Sequence, residues 1–372
     1  MRTTASYDLF PDAPSERAIA RARWLARVGR VADAEAAYRG ILAATPDLKA
    51  CWAECFELLR SQNRTEDALR LAEAALGHFG ESAFPYTLKG AALIELRRYR
   101  EALQALEHAL ERDPDLGLAW HELGYAAYRL GDPNRALLAL DRAFALEPHT
   151  ETLQLRGRIL RDSGRYQAAE VAFEAASQTA EHNEQREAAE AELSATRRFA
   201  FYSPKRPEEL SAHDRWFSET GAIVLAAARA SAPPSDETLV HAFLEVTDNC
   251  RWKFGQLVVL GPSLAVFNLL ADGLQAPLVE RGALDPHAVP LVAALRPLSS
   301  DAGWNAAAAQ VAEHGAGLVF TLEHAAESTA QADVVGVLLE NGVRASRAPD
   351  TAHALSLAQH PAARLASRKL GG

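Results

Sequence analysis

The sequence predicts two unlike parts: a superhelix of five helix pairs, followed by an α/β domain with a mostly parallel sheet. In the first half of the 372-residue chain, an alanine with the same surroundings recurs three times at intervals of 34 residues and once more after 33. In the second half, short apolar runs alternate with helical segments. A repeat of this length indicates stacked helix pairs, and the alternation indicates a sheet that is covered on both faces.

The composition is that of an ordinary globular chain, with 48% hydrophobic and 24% charged residues. The net charge of −10 and the lack of a basic block exclude a nucleic-acid footprint. Three cysteines are too few for a disulfide framework. The first residues lack the pattern of a signal peptide, and no apolar stretch reaches the roughly 18 residues of a spanning helix. We therefore expect a cytoplasmic protein without a nucleic-acid or membrane partner.

We refer to the set of positions that recurs in each repeat unit as the frame. It begins with a polar pair and continues with three core positions. The first of these positions is the recurring alanine, and others follow four and seven residues later. Pro46, Pro114 and Pro148 close their units, where proline stops a helix. Apolar residues at this spacing face one side of a helix, which packs on its partner. The alanines are Ala34, Ala68, Ala102, Ala136 and Ala169.

The unit that begins near Gly117 carries the frame almost completely, with Trp120, Leu123, Gly124, Ala136 and Pro148. This set resembles the tetratricopeptide repeat (TPR), whose conserved tryptophan, leucine, glycine, alanine and proline have the same spacing. The resemblance covers about residues 15–183 and implies a solenoid that binds a protein or a peptide.

The remaining boundaries follow from changes in composition. Residues 184–199 are polar and rich in helix formers, so they predict either a helix that caps the last pair or a connecting helix. Residues 200–215 contain two prolines and are interpreted as a linker. The α/β domain is predicted to span residues 216–372.

The first helix of each unit is expected to line the concave groove of the superhelix. The candidate residues make this groove acidic near its start and basic near its end, with two tyrosines between. The matching positions lack the lysine and asparagine with which some TPR proteins hold a carboxylate. The alternative is that these side chains form only the solvated face of the helices. The candidates are Glu54, Glu57, Arg60, Thr87, His121, Glu122, Tyr125, Tyr128, Arg129, Arg158 and Arg161, beside Leu88, Ala91 and Gln154.

Two cysteines, Cys51 and Cys55, lie four residues apart on one predicted helix. No histidine or further cysteine lies nearby at ligand spacing, so we interpret both as small buried residues. The sequence therefore predicts no metal site and no cofactor.

Six short apolar runs in the second half have strand character. Because they are continuous rather than alternating, they indicate a parallel sheet buried on both faces. The predicted strands lie in 221–228, 256–260, 276–280, 289–295, 317–322 and 343–346. The predicted helices are Asp236–Trp252, Ser263–Leu274, Ala302–His314, Ala330–Asn341 and Thr351–Lys369.

Ligands of such sheets bind beyond the carboxyl ends of the strands, where this sequence places several polar residues. The candidates for an anionic small ligand are Ser263, Arg281, Arg296, Ser299 and Ser300. Ser263, Glu323 and His324 are the candidates for catalysis. No glycine-rich phosphate motif is present, and the alternative is that these residues are ordinary solvated loop ends.

The order of elements in this half is similar to the phosphoribosyltransferase core. The family has an acidic pair followed by a phosphate loop, and the corresponding stretch here is LRPLSSDAGWN (residues 295–305). This stretch keeps the hydroxyls and lacks the acidic pair. The likeness implies a phosphorylated or nucleotide-like substrate.

Two functions follow from these patterns. The first is a cytoplasmic interaction adaptor with an α/β docking or small-ligand module, which the lack of a complete catalytic motif favours. The second is an enzyme acting on a phosphorylated or nucleotide-like substrate, with Glu323 or His324 as acid and base. We interpret the final Gly371 and Gly372 as a helix stop rather than a conjugation tail, so their deletion should leave stability and binding unchanged.

Overall fold

A computed structural model of the protein describes residues 13–262, 265–297, 299–325, 327–366 and 368–370. The chain divides between Ile159 and Leu160 into two compact units. Gly371 and Gly372 lie outside the described residues. Within the described ranges, no helix has both the length and the apolar character needed to cross a membrane.

The first unit consists of helices that follow one another in pairs. Three residues separate the two helices of a pair, and three or four separate one pair from the next. Such short connections place neighbouring helices antiparallel. The helices are α1 (Ala13–Arg27), α2 (Val31–Ala44), α3 (Lys49–Ser61), α4 (Thr65–Phe79), α5 (Ala83–Glu95), α6 (Tyr99–Arg112), α7 (Gly117–Arg129), α8 (Pro133–Leu146) and the larger part of α9 (Thr150–Asp162).

The polar pair of each repeat forms the turn inside a helix pair. Its first residue has a positive φ in all five repeats, at Gly29, Asn63, Arg97, Gly131 and Gly164. Glycine adopts this conformation without steric cost, whereas a side chain brings its Cβ too close to the following carbonyl oxygen. The turn at Arg97, with a φ of 57°, is therefore strained.

The recurring alanines lie where the two helices of a pair approach most closely, and all five are fully buried. Gly124 shows how little space is left between α7 and α8. A Cβ at this position would lie 2.8 Å from Cγ of the buried Leu140. The predicted core of the repeats is confirmed, and small residues at these positions set the distance between the helices.

The tryptophan and proline of the frame contact each other between successive repeats. Trp52 Nε1 donates to the carbonyl oxygen of Pro46, and Trp120 Nε1 donates to that of Pro114, both at 2.8 Å. The proline that ends one pair therefore also anchors the first helix of the next pair.

Cys51 and Cys55 are buried free cysteines on α3. Burial raises the pKa of Cys51 to about 12 and that of Cys55 to about 11. Both thiols are therefore protonated at neutral pH and act as small core residues. No group of potential metal ligands occurs in the part of the chain that the structure describes.

The second unit begins with the last residues of α9, from Leu160, and continues with three further helices. α10 (Tyr166–Thr179) packs against α11 (Asn183–Ala200), and α11 contacts α12 (Ala212–Thr220). The segment interpreted as a linker packs on these helices, because Leu210 is buried in a cluster with Tyr166 and Phe199.

The other helices of this unit surround two sheets. They are α13 (Asp236–Asn249), α14 (Ala265–Leu274), α15 (Ala302–His314) and α16 (Thr351–Ala358). The strands are β1 (Ile223–Val224), β2 (Ala228–Arg229), β3 (Gln256–Leu260), β4 (Leu278–Val279), β5 (Pro290–Ala294), β6 (Leu318–Ala325), β7 (Val334–Glu340), β8 (Val343–Arg344) and β9 (Arg347–Ala348).

The larger sheet is mostly parallel, as predicted. Its parallel strands follow the order β1-β7-β6-β5-β3-β4, β8 pairs antiparallel with β7, and β2 and β9 form a separate antiparallel pair. Residues of α13, α14 and α16 pack on one face, whereas those of α15 pack on the other face. The helix that follows β3 (α14) packs on one face of the sheet, and the helix that follows β5 (α15) packs on the other. The topological switch point therefore lies at the carboxyl ends of β3 and β5.

The prediction of a helix over Ala330–Asn341 is wrong, because these residues contain β7, which lies between β1 and β6 in the sheet. A continuous apolar run fits a buried strand and a buried helix equally well, and the three valines of this run favour the strand. The last predicted helix is also shorter than expected. It ends at Ala358, and Pro361 follows shortly after.

Arg198 joins three segments of the second unit. The residue is buried, and its guanidinium donates to the carbonyl oxygens of Ser218, Glu219 and Ala362 at 3.0–3.1 Å. Burial lowers the pKa of Arg198 to about 10. This side chain therefore connects α11 with the end of α12 and with the segment after α16.

We predict that Arg97→Gly stabilises the protein by about 1 kcal/mol, because glycine removes the strain at this turn. Arg98→Gly is the matched control. Arg98 has a negative φ and pairs with Glu101, so this change should lower stability slightly. Urea unfolding of the full chain measures both effects. A midpoint that does not rise for Arg97→Gly contradicts the prediction.

Candidate functional site

The first helices of successive pairs lie side by side in the first unit. α3 contacts α5, and α5 contacts α7. In a stack of helix pairs, this side is the concave one. We refer to the surface formed by α3, α5 and α7 as the groove.

The start of the groove is less acidic than the sequence suggests, because Glu54 is already engaged. Its carboxylate accepts hydrogen bonds from Arg23 and from the hydroxyl of Tyr38, the latter at 3.0 Å. The hydrogen bond from Arg23 lowers the pKa of Glu54 despite its partial burial. A cavity of about 660 Å³ adjoins this pair and extends to Glu57.

The middle of the groove contains a network around Arg60. Its guanidinium donates to Glu57 at 2.8 Å and to Glu95 at 2.5 Å, and the carboxylate of Glu95 also accepts from the hydroxyl of Thr65. Thr87 is buried, and its hydroxyl donates to the carbonyl oxygen of Ala83. Thr87 therefore presents no polar group to the groove.

Residues of α7 form the other side of the groove. Arg129 donates to the hydroxyl of Tyr125 at 2.9 Å, and its guanidinium lies 5.1 Å from the centre of the Tyr99 ring. His121 Nδ1 lies 3.0 Å from the hydroxyl of Thr152, and burial lowers the pKa of His121. Tyr128 and Glu122 are half-buried on the same helix.

The two arginines predicted at the end of the groove differ in their surroundings. Arg158 is exposed on the part of α9 that belongs to the first unit. Arg161 belongs to the second unit, where it donates to Glu192 and covers the rings of Phe173 and Phe199. This arginine therefore has a packing role within its own unit.

Three residues of the site were not among the predicted ones: Arg23, Tyr38 and Glu95. The repeat itself contains the signal for two of them. Arg23 lies 34 residues before Glu57, and Glu95 lies 34 residues before Arg129, so both occupy groove positions of the frame. Tyr38 is a core position of the frame, and its hydroxyl reaches Glu54 from α2.

A second candidate region is the carboxyl edge of the large sheet. Gly261 and Pro262 follow β3, and Arg296 follows β5, so these residues flank the switch point. Ser263 lies outside the described residues. Arg281 follows β4 in a short 3-10 helix, Arg281–Ala283.

The predicted residues of β6 are engaged by their neighbours. Glu323 is buried, and its two carboxylate oxygens accept from Arg296 and Arg344, each at 2.6 Å. His324 is fully buried, and its ring nitrogens lie 2.8 Å from the carbonyl oxygens of Ala325 and Ala330. In this arrangement, neither residue offers a free group to a substrate.

The hydroxyl groups after β5 remain at the surface. The Ser299 hydroxyl lies 3.0 Å from that of Ser328 and accepts from the backbone N–H of Thr329. Ser300 is exposed. Ser299 therefore holds the loop that follows β6.

The comparisons with known proteins concern the repeats. Tetratricopeptide-repeat profiles match residues 93–159 and 150–183. A wheat (Triticum aestivum) protein, the Hsp70-Hsp90 organizing protein, is 34% identical over 99 residues, which are 25% of this chain and 17% of that protein. The helix pairs within residues 93–183 therefore match the tetratricopeptide repeat.

Solved structures with similar helix pairs include a TPR protein of Thermus thermophilus and yeast Tom70. The first is 18% identical, with a TM-score of 0.43, and the match covers 48% of this chain and 98% of that one. The second is 16% identical, with a TM-score of 0.44, and the match covers 49% of this chain and 39% of that one.

An acid–histidine pair in the second unit was not predicted from the sequence. His353 Nε2 lies 3.0 Å from Asp214 Oδ1, and this hydrogen bond raises the pKa of His353. A group with a raised pKa stabilises the fold below its unfolded pKa of about 6.5, and this contribution is lost as the pH rises through the folded pKa. The pair therefore joins α12 to α16 more strongly at acidic pH.

We predict that His353→Gln lowers the stability of the second unit by roughly 1 kcal/mol at pH 6 and by less at pH 8.5. The exposed His241 of α13 provides the control His241→Gln, which should not change this pH dependence. Hydrogen exchange of peptides from α12 and α16 measures the effect. An equal loss at both pH values contradicts the prediction.

Proposed function

We propose that this protein is an interaction adaptor that holds an extended segment of a partner protein in the groove. The observation that carries this proposal is the side-by-side arrangement of α3, α5 and α7. It gives one continuous surface of charged and aromatic side chains, the composition of binding hot spots. The name of the wheat relative describes a protein that organizes two others, which supports a protein partner for this chain.

The proposed compartment is the cytoplasm, and the proposed partner is not a nucleic acid. Free, buried cysteines are typical of a reducing compartment. The net charge of −10 disfavours contact with a phosphate backbone.

The α/β part of the second unit is proposed as a further docking or small-ligand module. The observation that favours a small ligand is the switch point between β3 and β5, where sheets of this type bind their ligands. An anionic ligand would have to compete with Glu323 for Arg296. Thermal-shift measurements with nucleotides and sugar phosphates test this role. For a catalytic role, the carboxylate of Glu323 would in addition have to give up its hydrogen bonds to Arg296 and Arg344.

Photo-crosslinking tests the groove directly. We predict that p-benzoylphenylalanine in place of Tyr125 crosslinks the full chain to a partner in a native lysate. The same residue in place of Leu138 is the control, because Leu138 is 73% exposed on α8, the second helix of its pair. Crosslinking from both positions, or from neither, contradicts the proposal.

Affinity measurements complete the test once the partner segment is known. Tyr125→Ala should weaken binding about tenfold, because truncated aromatic hot spots cost more than 1 kcal/mol. Leu138→Ala should leave the affinity unchanged.

A further inference from the structure

Glu122 is a groove carboxylate that receives no hydrogen bond from the residues that the structure describes. It is half-buried on α7, and burial raises the pKa of its side chain. Glu54, at the start of the groove, has its donors within the chain. Glu122 therefore differs from Glu54, because no donor among the described residues compensates its burial. Removing an unpaired carboxylate from water costs free energy.

The charges that act on Glu122 come from α3 and α5. They are the guanidinium of Arg60 and the carboxylates of Glu57 and Glu95. Arg60 already donates to both of these carboxylates. Glu57, Glu95 and Glu122 thus bring three carboxylates to the middle of the groove, where Arg60 supplies one guanidinium, so negative charge is in excess there.

Two groove residues of α5 supply no donor to Glu122. Ala91 is small, and the hydroxyl of Thr87 is turned back to the carbonyl oxygen of Ala83. Tyr125 lies three residues after Glu122, on the same face of α7. An aromatic ring beside a carboxylate favours a cation rather than an anion.

We propose that the groove takes a lysine or arginine side chain of the bound segment, and that its cationic group donates hydrogen bonds to Glu122. This inference rests on the proposed function of the groove. A charge-assisted hydrogen bond satisfies the half-buried carboxylate, and the neighbouring Glu57 and Glu95 add attraction. An acidic side chain at the same place is repelled by all three carboxylates.

Arrays of acetylated and amidated peptides test this preference with the full chain. Each pool has random neutral residues around one fixed central residue, which is lysine, arginine, glutamine or glutamate. The lysine and arginine pools should retain about tenfold more protein than the glutamine pool, and the glutamate pool should retain least.

Glu122→Gln should abolish the preference for the cationic pools over the glutamine pool. Glu66→Gln is the matched control, since Glu66 is exposed on α4, the second helix of its pair. This control should keep the preference of the unmodified chain. Circular dichroism shows whether each variant remains folded, and high salt should reduce the preference of the unmodified chain without any substitution.

The outcomes separate the two proposals. Retention of no pool contradicts the proposed function itself. Equal retention of all pools, a preference for glutamate, or a preference that survives Glu122→Gln overturns the assignment of Glu122 and leaves peptide binding in place. A preference that salt does not reduce also overturns it, because it then has a cause other than charge.

Discussion

The close contact between the two helices of each pair is the constraint on which the rest of the repeat depends. It requires a small residue at each recurring position, and all five alanines there are fully buried. Because Gly124 lies against Leu140, even one added methyl group would separate α7 from α8. The spacing of the pairs follows from this contact, and the width of the groove follows from the spacing.

The distribution of charge in the groove differs from the one that the sequence alone predicts. Glu54 is paired with Arg23, so its contribution to the potential at the start of the groove is largely cancelled. Specificity for a charged partner then depends on the groups that the chain itself does not pair. In the middle of the groove this condition is met by Glu122, whose neighbours leave an excess of negative charge.

Periodic features of the fold could be predicted from the sequence, whereas contacts between particular side chains could not. The alanines are buried for the same reason in every repeat, so spacing alone identifies them. The pairing of Glu54 with Arg23 depends on the rotamers of both side chains, about which the frame contains no information. The sequence predicts a helix where β7 lies, because a buried helix and a buried strand can both contain a continuous apolar run.

The contacts of Arg198 also affect the order in which the second unit can form during synthesis. One of its acceptors, the carbonyl oxygen of Ala362, lies 164 residues further along the chain. Domains generally begin to fold from the amino-terminal side while the chain is still growing. Until the distant segment emerges, the guanidinium of Arg198 lacks one of its three acceptors, so the contact that ties α11 and α12 to the segment after α16 is the last of the three to form.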